Sequence, residues 1–135
     1  GEWRMDERCE VPTAPLSTIL QPAEIKAARI IKIDVEGAEW QVVSGLAPLI
    51  GELRRDVEIV VEVTPSVLEA EGRSGKDLLR LFGDCGFHSY RIENDYSAAS
   101  YYARITPSRP ERIKQIPAGA HQADLVFSRV DASSL

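Results

Sequence analysis

Two aliphatic runs dominate the pattern of hydrophobic and polar positions. Residues 28–35 (ARIIKIDV) and 56–63 (DVEIVVEV) are dense in isoleucine and valine. Such runs favour strands that are covered on both faces of a sheet. Shorter apolar runs at 87–93 and 123–130 predict a third strand and a last one. The pattern therefore predicts four principal strands.

Helical spacing separates these runs. Residues 36–55 carry apolar side chains at steps of three and four, and Gly45 and Pro48 are expected to divide them into two short helices. Residues 74–87 predict a helix that begins after Ser74, whose hydroxyl is suited to cap it. Two shorter helical turns are expected earlier, at 15–20 and 22–28.

Strands that alternate with helices indicate an α/β domain with a mostly parallel sheet and right-handed crossovers. No helical pattern separates the last two strands, so they are expected to pair antiparallel at one edge of the sheet. Residues 94–120 are rich in serine, tyrosine, alanine and proline, and are expected to form a long loop or lid with little regular structure.

Composition narrows the class of protein. The chain has 135 residues, of which 44% are hydrophobic, enough for the core of one domain or of part of one. Its net charge of −5 argues against a nucleic-acid partner. No apolar run approaches the ~20 residues of a membrane span, so no membrane partner is expected. Cys9 and Cys85 lack metal-type spacing, which favours a reduced, cytoplasmic setting.

Carboxylates collect where the two aliphatic strands end. Asp34, Glu36 and Glu39 surround Gly37 after the first strand, and Glu62 lies near the end of the second. In open α/β sheets, ligands bind at the carboxyl ends of the strands. A carboxylate cluster there can accept a proton from a hydroxyl, neutralise a cationic cofactor or hold a hard metal ion. The spacing alone does not choose among these three roles.

Each acid also has an ordinary structural explanation. Asp34 is suited to cap the helix that follows, and Glu36 and Glu39 are suited to its first turn, where an acid gains about 0.3–1 kcal/mol. Glu39 in particular is expected to face water. Glu62 differs, because a carboxylate inside an aliphatic run is partly desolvated and needs a partner, which favours a functional role.

Three further residues are candidates for contacts with a substrate. His121, just before the last strand, is suited to act as a base near neutral pH. Tyr101 and Tyr102 lie in the long loop and could line an acceptor pocket, although such residues are more often packing anchors.

The block IKIDVEGAEWQVVSGLAPLI, at residues 31–50, resembles the signature of the FkbM-type methyltransferases. The family pattern is a hydrophobic strand, then K-I-D-V-E-G-x-E, then a helix with a glycine near its end. Residues 59–92 and 123–129 are similar to later strands and a helix of that family. Residues 11–20 are similar to the segment before the signature, with Ser17 where aspartate is usual. The resemblance covers most of the chain.

The resemblance implies an S-adenosylmethionine-dependent enzyme that transfers a methyl group to a hydroxyl, here of a small-molecule or glycan acceptor. No residue is assigned to a metal, and a metal requirement stays open. A metal-dependent hydrolase or phosphotransferase is the weaker alternative, because no histidine or further aspartate supports it. We assign catalysis to Asp34, Glu36 and Glu62, cofactor contacts to Asp34 and Gly37, and acceptor contacts to Glu39, Tyr101, Tyr102 and His121.

The chain departs from the family in its first part. No glycine-rich turn follows a strand near the N terminus, and the ribose-binding acid of the family's second strand has no counterpart. The resemblance thus implies that residues 1–135 form the C-terminal part of one methyltransferase-like domain, without the cofactor-binding half. The fold expected is a partial Rossmann-like sheet whose strands correspond to the family's fourth to seventh, in the spatial order 4-5-7-6.

Such a fragment leaves one edge of the first strand bare, which is a liability for an aliphatic strand. We expect that edge to be covered by a second copy in a homodimer, by the N-terminal segment folded back, or by an N-terminal half. The alternative function is a non-catalytic remnant that serves as an interaction module.

Overall fold

A computed structural model describes residues 10, 12–93, 109–117 and 119–132. The strands are β1 (Ile30–Ile33), β2 (Glu58–Val63), β3 (His88–Ile92), β4 (Glu111–Arg112) and β5 (Ala123–Ser128). The α-helices are α1 (Leu16–Ile19), α2 (Pro22–Ala27), α3 (Glu39–Leu46), α4 (Pro65–Ala70) and α5 (Gly75–Asp84), and a 3₁₀ helix covers Ala47–Glu52. Within these residues no helix is both long and apolar enough to cross a membrane.

The five strands form one sheet in the order β1-β2-β5-β3-β4. The four principal strands therefore follow the spatial order that 4-5-7-6 implies. The prediction of a mostly parallel sheet was wrong, because only β1 and β2 pair in parallel and the other three pairs are antiparallel. The predicted antiparallel pairing of the last two principal strands, β3 and β5, was confirmed. β5 is not itself an edge strand, however. It runs between β2 and β3, opposite in direction to both, because the chain reaches it from β4 without a crossover helix among the described residues.

The two faces of the sheet differ in burial. Along β2, Ile59, Val61 and Val63 are buried, whereas the residues that alternate with them are only half-buried. Within the described residues, the prediction that the aliphatic strands are covered on both faces was therefore wrong. We call the half-buried side the open face. From the strand registers, the open face carries Ile30, Lys32, Glu58, Val60, Glu62, Asp124 and Val126.

The core lies on the other face, under α3 and α5. Val43 and Leu46 of α3 and Phe82 of α5 are fully buried against the sheet. The ring of Phe82 stacks on that of Phe127 in β5, with centroids 3.9 Å apart. This contact fixes α5 over the middle of the sheet, so the helix layer leaves the open face free for other contacts.

Most helix boundaries follow the sequence. Ser74 caps α5 as predicted: its hydroxyl accepts from the Asp77 amide, and its own amide donates to the Asp77 carboxylate at 2.8 Å. The predicted division of residues 36–55 into two short helices near Gly45 and Pro48 was confirmed, since α3 ends at Leu46 and the 3₁₀ helix begins at Ala47. The pattern did not predict α4.

Most of the predicted loop or lid at 94–120 falls on residues 94–108 and 118, which lie outside the described residues. Its described part is not wholly irregular. The short strand β4 pairs with β3 through Tyr90–Arg112 and Arg91–Glu111. The sheet therefore extends into this region at the edge opposite β1.

Candidate functional site

The carboxyl end of β1 carries an ion pair. The Lys32 ammonium donates to the Asp34 carboxylate at 2.7 Å, and both side chains are exposed. The pKa of Lys32 lies above its ordinary value, first because of the hydrogen bond with Asp34 and the charge of that carboxylate, and then because of the charges of Glu62 and Asp124. The charges of three carboxylates thus act on one amine, and one of these carboxylates, that of Asp34, contacts it. We call these four residues the Lys32 cluster.

Strand register explains this gathering. β1 and β2 are parallel, so their carboxyl ends lie at the same edge of the sheet. β5 runs antiparallel to β2 and places Asp124 directly opposite Glu62. Cross-strand neighbours of this kind have Cβ atoms about 4.5–5.5 Å apart, and like charges there repel. Lys32 offsets part of that repulsion from the neighbouring strand.

Asp124 and Gln122 are site residues that sequence reasoning missed. The Gln122 amide donates to a carboxylate oxygen of Glu62, which supplies the partner expected for an acid within an aliphatic run. Alternation along β5 could have placed Asp124 on the same face as Val126. Only the reversed direction of β5, however, brings it opposite Glu62.

Asp34 does not act as a helix cap. The residue at the cap position of α3 is Ala38, and Asp34 bonds instead to Lys32. Its side chain therefore belongs to the open face rather than to the helix. This removes the ordinary structural explanation for Asp34 and keeps it as a candidate for contact with a ligand.

The turn between β1 and α3 has an unusual backbone. Glu36 has φ +35° and Gly37 has φ +111°, so two successive residues adopt left-handed conformations. The glycine does so without cost, but the glutamate is strained. The Glu36 side chain is exposed as a result, beyond the end of β1.

Glu39 lies where the sequence did not predict it. The expectation that it faces water was wrong, since it is only 1% exposed. One carboxylate oxygen, Oε1, accepts from the Gly37 amide at 3.0 Å, and the other, Oε2, is buried and makes no hydrogen bond among the described residues. The side chain therefore folds back over the turn that precedes its own helix.

The remaining predicted residues are less well placed. His121 is exposed, immediately before the Gln122 that bonds to Glu62. Tyr101 and Tyr102 lie outside the described residues. Among the described residues no group of three or more His, Cys, Asp or Glu side chains is arranged to hold a metal ion. The described residues therefore offer no set of ligands for a metal-dependent hydrolase or phosphotransferase.

Two surface cavities lie away from the Lys32 cluster. One, of about 450 Å³, adjoins the 3₁₀ helix and is lined in part by Arg55 and Arg129. The other, of about 350 Å³, lies between α5, β3 and β4 and is rich in cationic side chains. Within it, Arg112 is already bonded to Asp131 at 2.7 Å and to a His88 ring nitrogen. The cluster itself is an open surface site.

Sheet order and strand-end carboxylates together are consistent with a methyltransferase-like α/β domain. Comparison with known families agrees. Residues 4–89, well over half of the chain, match the family model of the methyltransferase FkbM domain, and the chain belongs to this family. No curated protein and no solved structure matched significantly. The matched span contains Asp34, Glu36, Glu39 and Glu62 but ends before Asp124.

Proposed function

We propose that this chain takes part in S-adenosylmethionine-dependent methyl transfer to a hydroxyl group. Membership of the methyltransferase FkbM family supports this proposal, and the observation that carries it is the Lys32 cluster. The cofactor bears a cationic sulfonium and an amino group. Three carboxylates against one ammonium leave the cluster with a net negative charge, which suits a cationic ligand. The donor chemistry of these residues therefore fits the cofactor.

When bound, S-adenosylmethionine supplies an electrophilic methyl group. Asp34, at the end of β1 beside Gly37, would hold a cationic part of the cofactor. One of two carboxylates would receive the single proton that the acceptor hydroxyl loses: that of Glu36, which is exposed, or that of Glu62, which is held by Gln122. Because methyl transfer is an in-line displacement, the placement of the two reactants contributes most to the rate.

On the acceptor side, we assign Tyr101, Tyr102 and His121 to binding a small-molecule or glycan hydroxyl. Glu39, the fourth residue predicted for this role, is buried and would act on the site only through the turn that carries Asp34 and Glu36. We place the reaction in the reducing cytoplasm.

The same proposal includes a partner for β1. Within the described residues β1 pairs only with β2, and Ile30 is 70% exposed. An aliphatic edge strand of this kind invites pairing with another chain. We infer that a second unit covers this edge, either a second copy or an N-terminal half that brings the glycine-rich turn of the family. The Lys32 cluster lies at that junction and would be completed by it.

The test is methyl transfer from methyl-labelled S-adenosylmethionine to a panel of sugar, lipid and polyketide hydroxyls, with the whole natural protein, including any sequence its gene encodes before residue 1. We expect acceptor-dependent S-adenosylhomocysteine, reduced at least tenfold by Asp34→Asn. Asp56→Asn is the matched control, because Asp56 pairs with Arg54 at 2.7 Å two residues away, as Asp34 does with Lys32. Absence of product with every acceptor would refute the proposal.

A second candidate function is a non-catalytic interaction module, which the β1 edge, unpaired within the described residues, favours. Calorimetric titration of S-adenosylmethionine separates the two. Micromolar binding by the natural protein supports the enzyme. A protein that binds no cofactor, but whose β1 amides become protected from exchange on self-association, is the module.

A further inference from the structure

The inference concerns Glu39, a buried carboxylate that the proposed chemistry does not use directly. A glutamate in the first turn of a helix usually points towards water, where it interacts with the positive end of the helix dipole. Here the side chain is 1% exposed and fully enclosed at the start of α3. Burial of a carboxylate is costly unless hydrogen bonds compensate for the lost water. The position of Glu39 therefore needs a specific explanation.

One of the two carboxylate oxygens of Glu39 accepts a hydrogen bond from the backbone. Oε1 accepts from the Gly37 amide at 3.0 Å, across a turn whose second and third residues, Glu36 and Gly37, both have positive φ. A left-handed non-glycine residue persists only where its surroundings hold it in place. The Glu39 carboxylate is the side chain that ties this turn to the helix. Its Oε2 is buried and has no partner among the described residues. A helix start does not require such a buried oxygen, so the burial of Glu39 calls for another explanation.

The turn in question leads directly from the Lys32 cluster. Asp34 lies at the end of β1, Val35 follows, and Glu36 is the first strained residue. Gly37 is thus three residues from Asp34 along this turn. We propose that Glu39 is a positioning residue, whose carboxylate clamps the Gly37 amide and so fixes the 34–37 segment in the geometry that presents Asp34 and Glu36 to the ligand. The functional part of this inference rests on the proposed methyl transfer.

The first test needs no cofactor. Hydrogen exchange of the Gly37 amide is measured by NMR in this chain and in two variants. Glu39→Leu removes the acceptor and is expected to speed exchange of that amide about tenfold. Glu39→Gln keeps an amide oxygen within reach and is expected to stay within about threefold of the wild type. If Glu39→Leu does not fold, Glu39→Asp, which is one methylene too short, takes its place with the same expected loss.

The second test asks whether the clamp matters for the site. In the natural protein, Glu39→Leu is expected to weaken S-adenosylmethionine binding at least tenfold. Glu39→Gln is expected to bind it with nearly the affinity of the wild type. Ser74→Ala is the control, since it weakens the cap of α5 and leaves the turn intact. If Ser74→Ala destabilises the protein as much as Glu39→Leu does but still binds the cofactor normally, the weaker binding of Glu39→Leu reflects lost positioning and not lost stability.

The outcomes distinguish this inference from the proposed function. Unchanged Gly37 exchange in Glu39→Leu, or equal losses in the Leu and Gln variants, would overturn the clamp. A wild type that binds no S-adenosylmethionine, with the exchange pattern as expected, would refute the proposed function and leave the clamp standing. Wild-type cofactor affinity in Glu39→Leu would overturn the link between clamp and site.

Discussion

Replacing Gly37 with alanine separates backbone strain from crowding at the turn before α3. A Cβ atom at this position would meet Val67 Cγ1 at 3.8 Å, an ordinary van der Waals contact. Crowding therefore adds nothing to the cost. The φ of +111° is what an alanine rarely adopts, and holding a residue in such a region costs on the order of 1–3 kcal/mol. The alanine also restricts the unfolded chain, which returns about 0.4–1 kcal/mol. We expect a net loss of about 1–2 kcal/mol.

Gly45 is the matched control within the same signature block. It lies inside α3, is exposed, and a Cβ there would meet nothing within 4 Å. Since its backbone is already helical, Gly45→Ala is expected to stabilise the protein by about 0.5–1 kcal/mol. The two substitutions change the same atoms and should move stability in opposite directions.

Urea unfolding followed by circular dichroism measures both variants. With a slope of about 1–3 kcal/mol per molar urea, a net change of 1–2 kcal/mol moves the midpoint by several tenths of a molar or more. Equal slopes would show that the surface exposed on unfolding is the same, so that the shift in midpoint reports a change in stability. Stabilisation by Gly37→Ala, or equal shifts in the two variants, would refute the assignment of a strained turn.

Three further predictions concern the core and the cap of α5. Phe82→Ala removes a fully buried ring that stacks on Phe127, and is expected to cost about 3–5 kcal/mol in urea unfolding, whereas a cost below about 1 kcal/mol would contradict the packing. Ser74→Ala removes the hydroxyl that caps α5 and is expected to lower the free energy of unfolding by about 1 kcal/mol in the same measurement. An unchanged free energy of unfolding would mean that the cap does not stabilise the protein. The pKa of Asp77 is lowered, first by the hydrogen bond from the Ser74 hydroxyl and then by that from the Ser74 amide. The ionised carboxylate therefore stabilises the fold above the unfolded pKa of about 3.9, and this contribution is lost as the pH falls through the lower folded pKa. Unfolding midpoints between pH 6 and pH 3 should therefore fall less steeply in Asp77→Asn, and identical profiles would contradict this.

The strand-end acids were predictable because their positions depend on local features. An aliphatic run that stops at Asp34 indicates a strand end, and the parallel pairing of β1 with β2 brings Glu62 to the same edge. The Ser74 cap was predictable for a similar reason, since a capping box is encoded within four residues. The antiparallel pairing of β3 with β5 was also predictable, because no helical pattern separates those strands.

Features that depend on distant partners were not predictable. The antiparallel register of β5 on β2, which brings Asp124 opposite Glu62, could not be derived from periodicity. The half-buried face was missed because an aliphatic strand looks the same whether one layer or two cover it. Glu39 was misplaced because a first-turn acid shows no local sign that its carboxylate turns back to Gly37.

The central claim is that Asp34 and its neighbouring carboxylates hold a cationic methyl donor at the end of β1. The most direct test is calorimetric titration of S-adenosylmethionine onto the natural protein and its Asp34→Asn and Asp56→Asn variants, after equal unfolding midpoints have been verified. We expect micromolar binding by the wild type and by Asp56→Asn, and binding at least tenfold weaker by Asp34→Asn. Equal affinity in all three proteins would contradict the claim.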